Sequence, residues 1–160
     1  MKNILLFVAI WVSAGLLFTN IYNSWVDAPN WGWHLPESLV TARQYYAVAN
    51  PGNFYRVISP IDQVLILACV LLCWKRSPKL RLLLITALVI AVGADLLTFG
   101  YFYPRNHILF TASLPENSEA VKAAWQEWSF MNWVRSGMVA AELILLFAGL
   151  QLSVISSSKK

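Results

Sequence analysis

Four long apolar runs, at about 4–22, 57–74, 82–103 and 133–152, set the rhythm of the chain. Each is close to the roughly 20 residues needed to cross about 30 Å of hydrocarbon. Backbone groups find no water inside a bilayer, so each run is expected to be a helix, and the period-two alternation of a membrane β-barrel is absent. The connections differ in character. Residues 75–81 form a short polar turn, whereas 23–56 and 104–132 are long and partly apolar. The first long connection carries Trp25, Trp31, Trp33, Tyr45, Tyr46, Phe54 and Tyr55, the aromatic make-up of a membrane interface. Within it "PESLVTARQYYAVANPG" reads as a short helix opened by Pro36 and stopped at Asn50-Pro51-Gly52. In the second, Pro115 opens an amphipathic stretch that meets no breaker before the fourth run. A continuous helix over 116–152 would be about 55 Å long at 1.5 Å per residue. Small residues at four-residue spacing, Ala87/Ala91, Ser136/Ala140 and Gly137/Ala141, allow close helix approach. The expected fold is all-α: one domain over 1–160, a four-transmembrane-helix bundle with two structured outer loops containing short amphipathic helices.

Composition agrees. Apolar residues make up 58% of the 160 and charged residues only 12%, against about 25% in ordinary globular chains. The net charge of +4 forms no patch suited to phosphates, so no nucleic-acid partner is expected. It orients the chain instead. Lys2, the Lys75/Arg76/Lys79/Arg81 cluster and Lys159/Lys160 share one side that holds no carboxylate. The positive-inside rule then places both termini and the 75–81 turn in the cytoplasm, and both long connections outside the plasma (inner) membrane of a bacterium. Lys2 and Val12-Ser13-Ala14 imitate a secretory signal, but the apolar run continues to about Tyr22 and reads as a retained helix. Cys69 and Cys73, the only cysteines, lie within one apolar run and support neither a disulfide framework nor a zinc site.

The few polar groups inside the runs gather toward the outer half. Asn20, Asn23 and Asp27 close the first run, Asp62 lies early in the second, Asp95 in the third, Arg135 and the deeper Glu142 in the fourth. Intramembrane ionisable residues usually face a bundle interior or wet cavity. This asymmetry describes a pocket opening outward, not a through-channel. Asp95 and Arg135 could equally form an interhelical ion pair. Asp62, after Pro60, could be a helix cap. Glu142 reads either as a hydrogen-bonded carboxyl or as a proton-handling acid in the pocket floor. His34 and His107, one in each long connection, are candidates for general bases or, if they meet, for ligands of a metal or haem. No HxxH, CxxCH or HExxH spacing requires either cofactor. In "YFYPRNHILF", Pro104 is expected to end the third helix and turn Arg105, Asn106 and His107 over the pocket.

Four segments recur together: "GLLFTNIYNSWVDAP", "NPGNFYRVISPID", "DLLTFGYFYPRNHILF" and "WSFMNWVRSGMVAAELILL". With them the chain resembles the anthrone oxygenase-like family of small four-helix membrane proteins over nearly its whole length. The most specific pieces are Pro104-Arg105-Asn106 and the Trp-x-x-x-Asn-x-x-Arg element of Trp128, Asn132 and Arg135, whose spacing shares one helix face. The resemblance implies oxidation by dioxygen of a lipophilic aromatic or quinol-like compound, an anthrone in fungal relatives. Catalytic roles would then fall to His107, His34, Asn106, Arg135 and Asp95. Asn106 would orient a carbonyl or phenol, Arg135 or Arg105 would stabilise an oxyanion, and a histidine would take the phenolic proton. Asn20, Asn23, Asp27, Arg56, Asp62, Trp128, Asn132, Trp133 and Glu142 would contact the substrate. The alternative is a non-catalytic lipid, quinone or haem binding protein, or an accessory subunit of a membrane complex. Lipid and a small hydrophobic substrate are the expected partners, and a homodimer is compatible.

Overall fold

The computed structural model describes residues 2–111 and 118–158. Every regular element among them is helical: α1 (Lys2–Tyr22), α2 (Ala28–Gly32), α3 (Glu37–Tyr45), α4 (Pro51–Cys73), α5 (Pro78–Leu97), α6 (Tyr103–Phe110) and α7 (Ser118–Ser158). π-helical turns at Asn23–Asp27 and Thr98–Phe102 join α1 to α2 and α5 to α6 without a break. Four helical segments, Asn3–Gly32, Pro51–Cys73, Pro78–Phe110 and Glu119–Ile155, are long and apolar enough to span a bilayer. The chain is a multi-pass membrane protein.

Successive spans pack side by side around a ring, α1 on α4, α4 on α5, α5 on α7 and α7 back on α1. Two apolar cores fill it. The first lies toward the Lys75–Arg81 end and joins Leu6, Ile10, Ile66, Leu80, Leu84 and Leu146. The second, at the opposite end, is aromatic. Trp31 stands edge-on to Trp128 and Phe110 with ring centroids 4.8 and 5.2 Å away, and Phe102 lies 5.6 Å from Trp128. Between the cores runs a layer of buried polar side chains, including Ser13, Asn20, Asp62, Asn132, Arg135 and Glu142.

Helix ends depart from expectation at two prolines. Pro104 does not stop the third span. A proline ring normally crowds the carbonyl four residues back, but here a π turn immediately precedes it and Tyr103 N–H bonds to Thr98 O across the wider coil. The widened turn lets the helix pass through Pro104 and run to Phe110. Pro29 follows the other π turn in the same way, with Ala28 N–H bonded to Asn23 O. Asp62, which could have been a helix cap after Pro60, caps nothing. Helix α4 starts at Pro51, where Asn53 Oδ1 accepts from the Asn50 N–H at 3.1 Å, so Asp62 lies in the helix interior, 1% exposed. The short helix expected after Pro36 is α3, and it stops at Tyr45, ahead of Asn50-Pro51-Gly52. Pro115, the expected opener of the fourth helix, lies outside the described residues, and α7 then runs unbroken from Ser118.

Two side chains fasten the short elements. The Arg43 guanidinium of α3 donates to Leu109 O at 2.8 and 2.6 Å, capping carbonyls left open at the C-terminus of α6. Trp125 Nε1 of α7 donates to Ala28 O at 2.7 Å, and its indole lies flat against Gly32, where any Cβ would collide with the ring. Gly32→Ala is therefore expected to destabilise the protein by about 1–3 kcal/mol, the cost of overpacking. Gly15→Ala, with nothing within 4 Å of the new Cβ, should leave the thermal midpoint in detergent unchanged or slightly higher.

Candidate functional site

A cavity of about 850 Å³ lies between the N-terminal half of α4 and the α5–α6 segment. Trp128 and Arg135 of α7 back it, and Tyr46, just after α3, borders it near the loop that leads into α4. The π turn at Thr98–Phe102 delivers Thr98, Phe99 and Phe102 to the same space. Phe99 and Tyr103, 58% and 39% exposed, sit at its margin, as does exposed Arg56. Exposed lining residues thus lie both on the flank of the α5–α6 segment and in the loop and first turn leading into α4, at Ala47, Asn50 and Gly52.

Arg135 dominates the electrostatics. It is 6% exposed, with Nη2 donating to Asn132 Oδ1 at 2.6 Å and Nη1 to Thr98 Oγ1 at 3.3 Å. The Phe102 and Tyr55 rings stack over its guanidinium carbon at 4.3 and 4.9 Å. Among the described residues no carboxylate lies within 4.0 Å of it, so the Asp95–Arg135 ion pair, one of the two readings open from the sequence, does not form. Asp95 instead accepts from Ser59 Oγ and Gln63 Nε2, both at 2.6 Å. These donors sit on α4 one turn apart and each takes one carboxylate oxygen.

The Trp128–Asn132–Arg135 face is a connected strip. Trp128 Nε1 donates to Asn106 Oδ1 at 2.9 Å, which holds the amide of Asn106 at the cavity wall. Asn132 Nδ2 donates to Asn20 O at 3.0 Å and Ser24 Oγ at 2.6 Å, tying α7 to α1. Asn132 therefore positions Arg135 from behind the cavity. Asn20 lies in the same buried layer, its Nδ2 on Leu16 O at 3.1 Å.

Of the residues expected at the site, Asn23, Arg56, Asp95, Asn106, His107, Trp128 and Arg135 border the cavity. Others do not. His34 is solvent-facing, 75% exposed and 3.8 Å from Glu37, so the two imidazoles do not share a site. Arg105 turns away to an ion pair with Glu127 at 2.6 Å and lies over the Tyr101 ring. Trp133 is 45% exposed and packs edge-on against Trp25 on the outer face of the bundle. Asp27 sits one layer behind, accepting from Asn23 Nδ2 at 2.9 Å. Burial, then the nearby Asp27, pushes the Tyr46 phenol well above its ordinary pKa, which keeps it neutral. Tyr55, whose hydroxyl donates to Asn23 Oδ1 at 3.2 Å, also borders the cavity, as do Tyr46, Trp31 and Phe102. The sequence places Trp31, Tyr46 and Tyr55 only at the membrane interface and gives no local signal that they and Phe102 meet at one cavity. Among the described residues no group of three or more His, Cys, Asp or Glu side chains is arranged to hold a metal ion.

Below the cavity, Asp62 and Glu142 converge on Ser13. The hydroxyl lies 2.8 Å from Asp62 Oδ1, 2.7 Å from Glu142 Oε1 and 3.0 Å from Ala9 O. One hydroxyl hydrogen cannot serve three acceptors. At least one carboxyl must carry a hydrogen for the cluster to close.

Four spans packed in a ring, with a cavity bordered by aromatic rings and by the buried Arg135, define a multi-pass helical membrane protein. The chain belongs to the anthrone oxygenase family, whose model matches residues 53–145. That stretch carries Tyr55, Asp95, Asn106, His107, Trp128, Asn132 and Arg135; Trp31, Arg43 and Tyr46, which also border the cavity, lie before it. No curated protein and no solved structure matches the chain.

The Ser13 cluster yields a stability test. Ser13→Ala strands two buried carboxyls and should cost about 1–3 kcal/mol. Glu142→Gln supplies amide hydrogens in the same shape and should stay within about 1 kcal/mol of the native protein in detergent melts.

Proposed function

We propose that the protein is a membrane oxygenase that oxidises a small planar aromatic or quinoid compound with dioxygen, in a cavity on the non-cytoplasmic side of a bacterial plasma membrane. Its substrate would enter from the lipid past Phe99 and Tyr103. The observation that carries this reading is the convergence of Asn106, His107 and Arg135, from two different helices, on one aromatic-walled space. Family membership supports the reaction type, and a volume of about 850 Å³ falls in the usual range for small-molecule sites.

For an anthrone-like substrate the chemistry balances without a further reductant. The ring methylene loses two hydrogens and becomes a carbonyl; one atom of dioxygen enters the product and the other leaves as water. His107 takes the first proton, giving an enolate whose charge spreads onto the ring oxygen. Arg135 faces that oxygen as a fixed positive charge in a dry site, and Asn106, held by Trp128, orients it. The electron-rich carbon then reduces dioxygen and bonds to it as a hydroperoxide, protonated by the imidazolium. Loss of the remaining carbon-bound proton with cleavage of the O–O bond expels water and leaves the quinone.

Purified protein in detergent should consume dioxygen when given an anthrone, with the quinone appearing in step. His107→Ala should lower turnover by about 10²-fold, the typical contribution of a general base. His34→Ala, changing an exposed ring outside the cavity, should leave it within about twofold, given the near-neutral effect of surface substitutions. Tight retention of an aromatic ligand without oxygen uptake would favour the non-catalytic carrier instead.

A further inference from the structure

We infer that the cavity holds its ligand as an anion, with a deprotonated oxygen on the Nη1 arm of Arg135; this rests on reading the cavity as a ligand site. An arginine cannot shed its proton in a protein, so the buried side chain carries a full positive charge. A buried charge is tolerated when it is paired and hydrogen-bonded. Here no carboxylate among the described residues touches it, although Asp95 borders the same cavity.

Each nearby acid is engaged elsewhere. Asp95 is bonded to Ser59 and Gln63, and Asp62 and Glu142 share Ser13. The acceptors that Arg135 does have are neutral, an amide oxygen and a threonine hydroxyl. Its Nε has no partner among the described residues. The Thr98 contact, at 3.3 Å, is long for a charge-assisted bond, which usually measures about 2.7–2.9 Å. Thr98 and Arg135 both border the cavity. Rings of Phe102 and Tyr55 cover the guanidinium carbon, so a ligand must come in along the edge of the group, in the plane where a flat aromatic oxyanion fits. The Nη1 edge is where a ligand oxygen would take over from Thr98. The missing countercharge is then the ligand's own.

This narrows the substrate class to planar aromatics with an acidic hydroxyl or enol, or with a carboxylate, and against neutral quinones and neutral lipids of similar size. A ligand arriving protonated would leave its proton with His107 at the exposed end of the cavity.

The test compares four probes on the intact protein in detergent, buffered so that the hydroxyl is ionised: a monohydroxyanthraquinone, its methyl ether, an anthraquinone carboxylate and unsubstituted anthraquinone. Dissociation constants are read from tryptophan quenching and thermal shift. At least one anionic probe should bind about 10- to 100-fold tighter than the neutral pair, the range for a charge-assisted hydrogen bond. Which of the two does so separates phenolate from carboxylate. Arg135→Gln should erase the preference while sparing the neutral probes, and Arg135→Lys should keep part of it. Equal affinity for all four probes in the native protein overturns the inference yet leaves the oxygenase reading standing. Preference that survives Arg135→Gln removes Arg135 from it. If none of the probes binds, the cavity reading and the inference fall together. Should Arg135→Gln not fold, the native comparison and Arg135→Lys still decide.

Discussion

A guanidinium that cannot be neutralised, placed inside an apolar bundle, constrains everything around Arg135. Two aromatic rings cover its faces, Asn132 holds one arm, and Asn132 is in turn held by the backbone of Asn20 and the hydroxyl of Ser24. Removing Asn132 would strip the buried charge of its shorter hydrogen bond, which is costlier than never having buried it. Trp128 lies one turn further along the same face of α7 and reaches Asn106 on α6. A single helix face thereby sets the register of α1 and α6 against α7, and with it the shape of the cavity.

Asp95 borders the same cavity as Arg135 without touching it, and the two buried acids lie deeper. Arg135 belongs to the aromatic end, while Asp62 and Glu142 belong to Ser13 and α1, deeper in the bundle. Glu142 is about two turns below Arg135 on α7, roughly 10 Å at 1.5 Å per residue, beyond direct pairing. This separation keeps the cation available at the cavity wall. The deeper acids close on a hydroxyl, flanked by the apolar core of Leu6, Ile66, Leu84 and Leu146.

Much of this was readable from the residues alone. Hydropathy marked all four spans, because burying a helix in lipid demands an unbroken apolar stretch of fixed length. It marked only their apolar parts. The spans that follow 23 and precede 57 run longer, since a helix already nucleated continues through polar residues that have partners, as Asn23 and Tyr55 do. The one-face spacing of Trp128, Asn132 and Arg135 was also legible, because helix periodicity is a local property. Pro104 misled. A proline is a stop only in a regular coil, and the π turn before it is invisible in composition.

What the sequence by itself determined is therefore the class: a helical membrane bundle, its spans, and the short list of costly polar side chains that must face inward. The tertiary structure alone decided which of them meet. Asp95 and Arg135, equally plausible partners in one dimension, found different neighbours because Ser59 and Gln63 present their donors one turn apart on the facing helix. His34 and His107 stayed apart because one connection leaves its histidine in solvent while the other carries its histidine to the cavity on a continuous helix. Pairing depends on helix rotation and register, which local sequence leaves free and only the packing of all four spans sets.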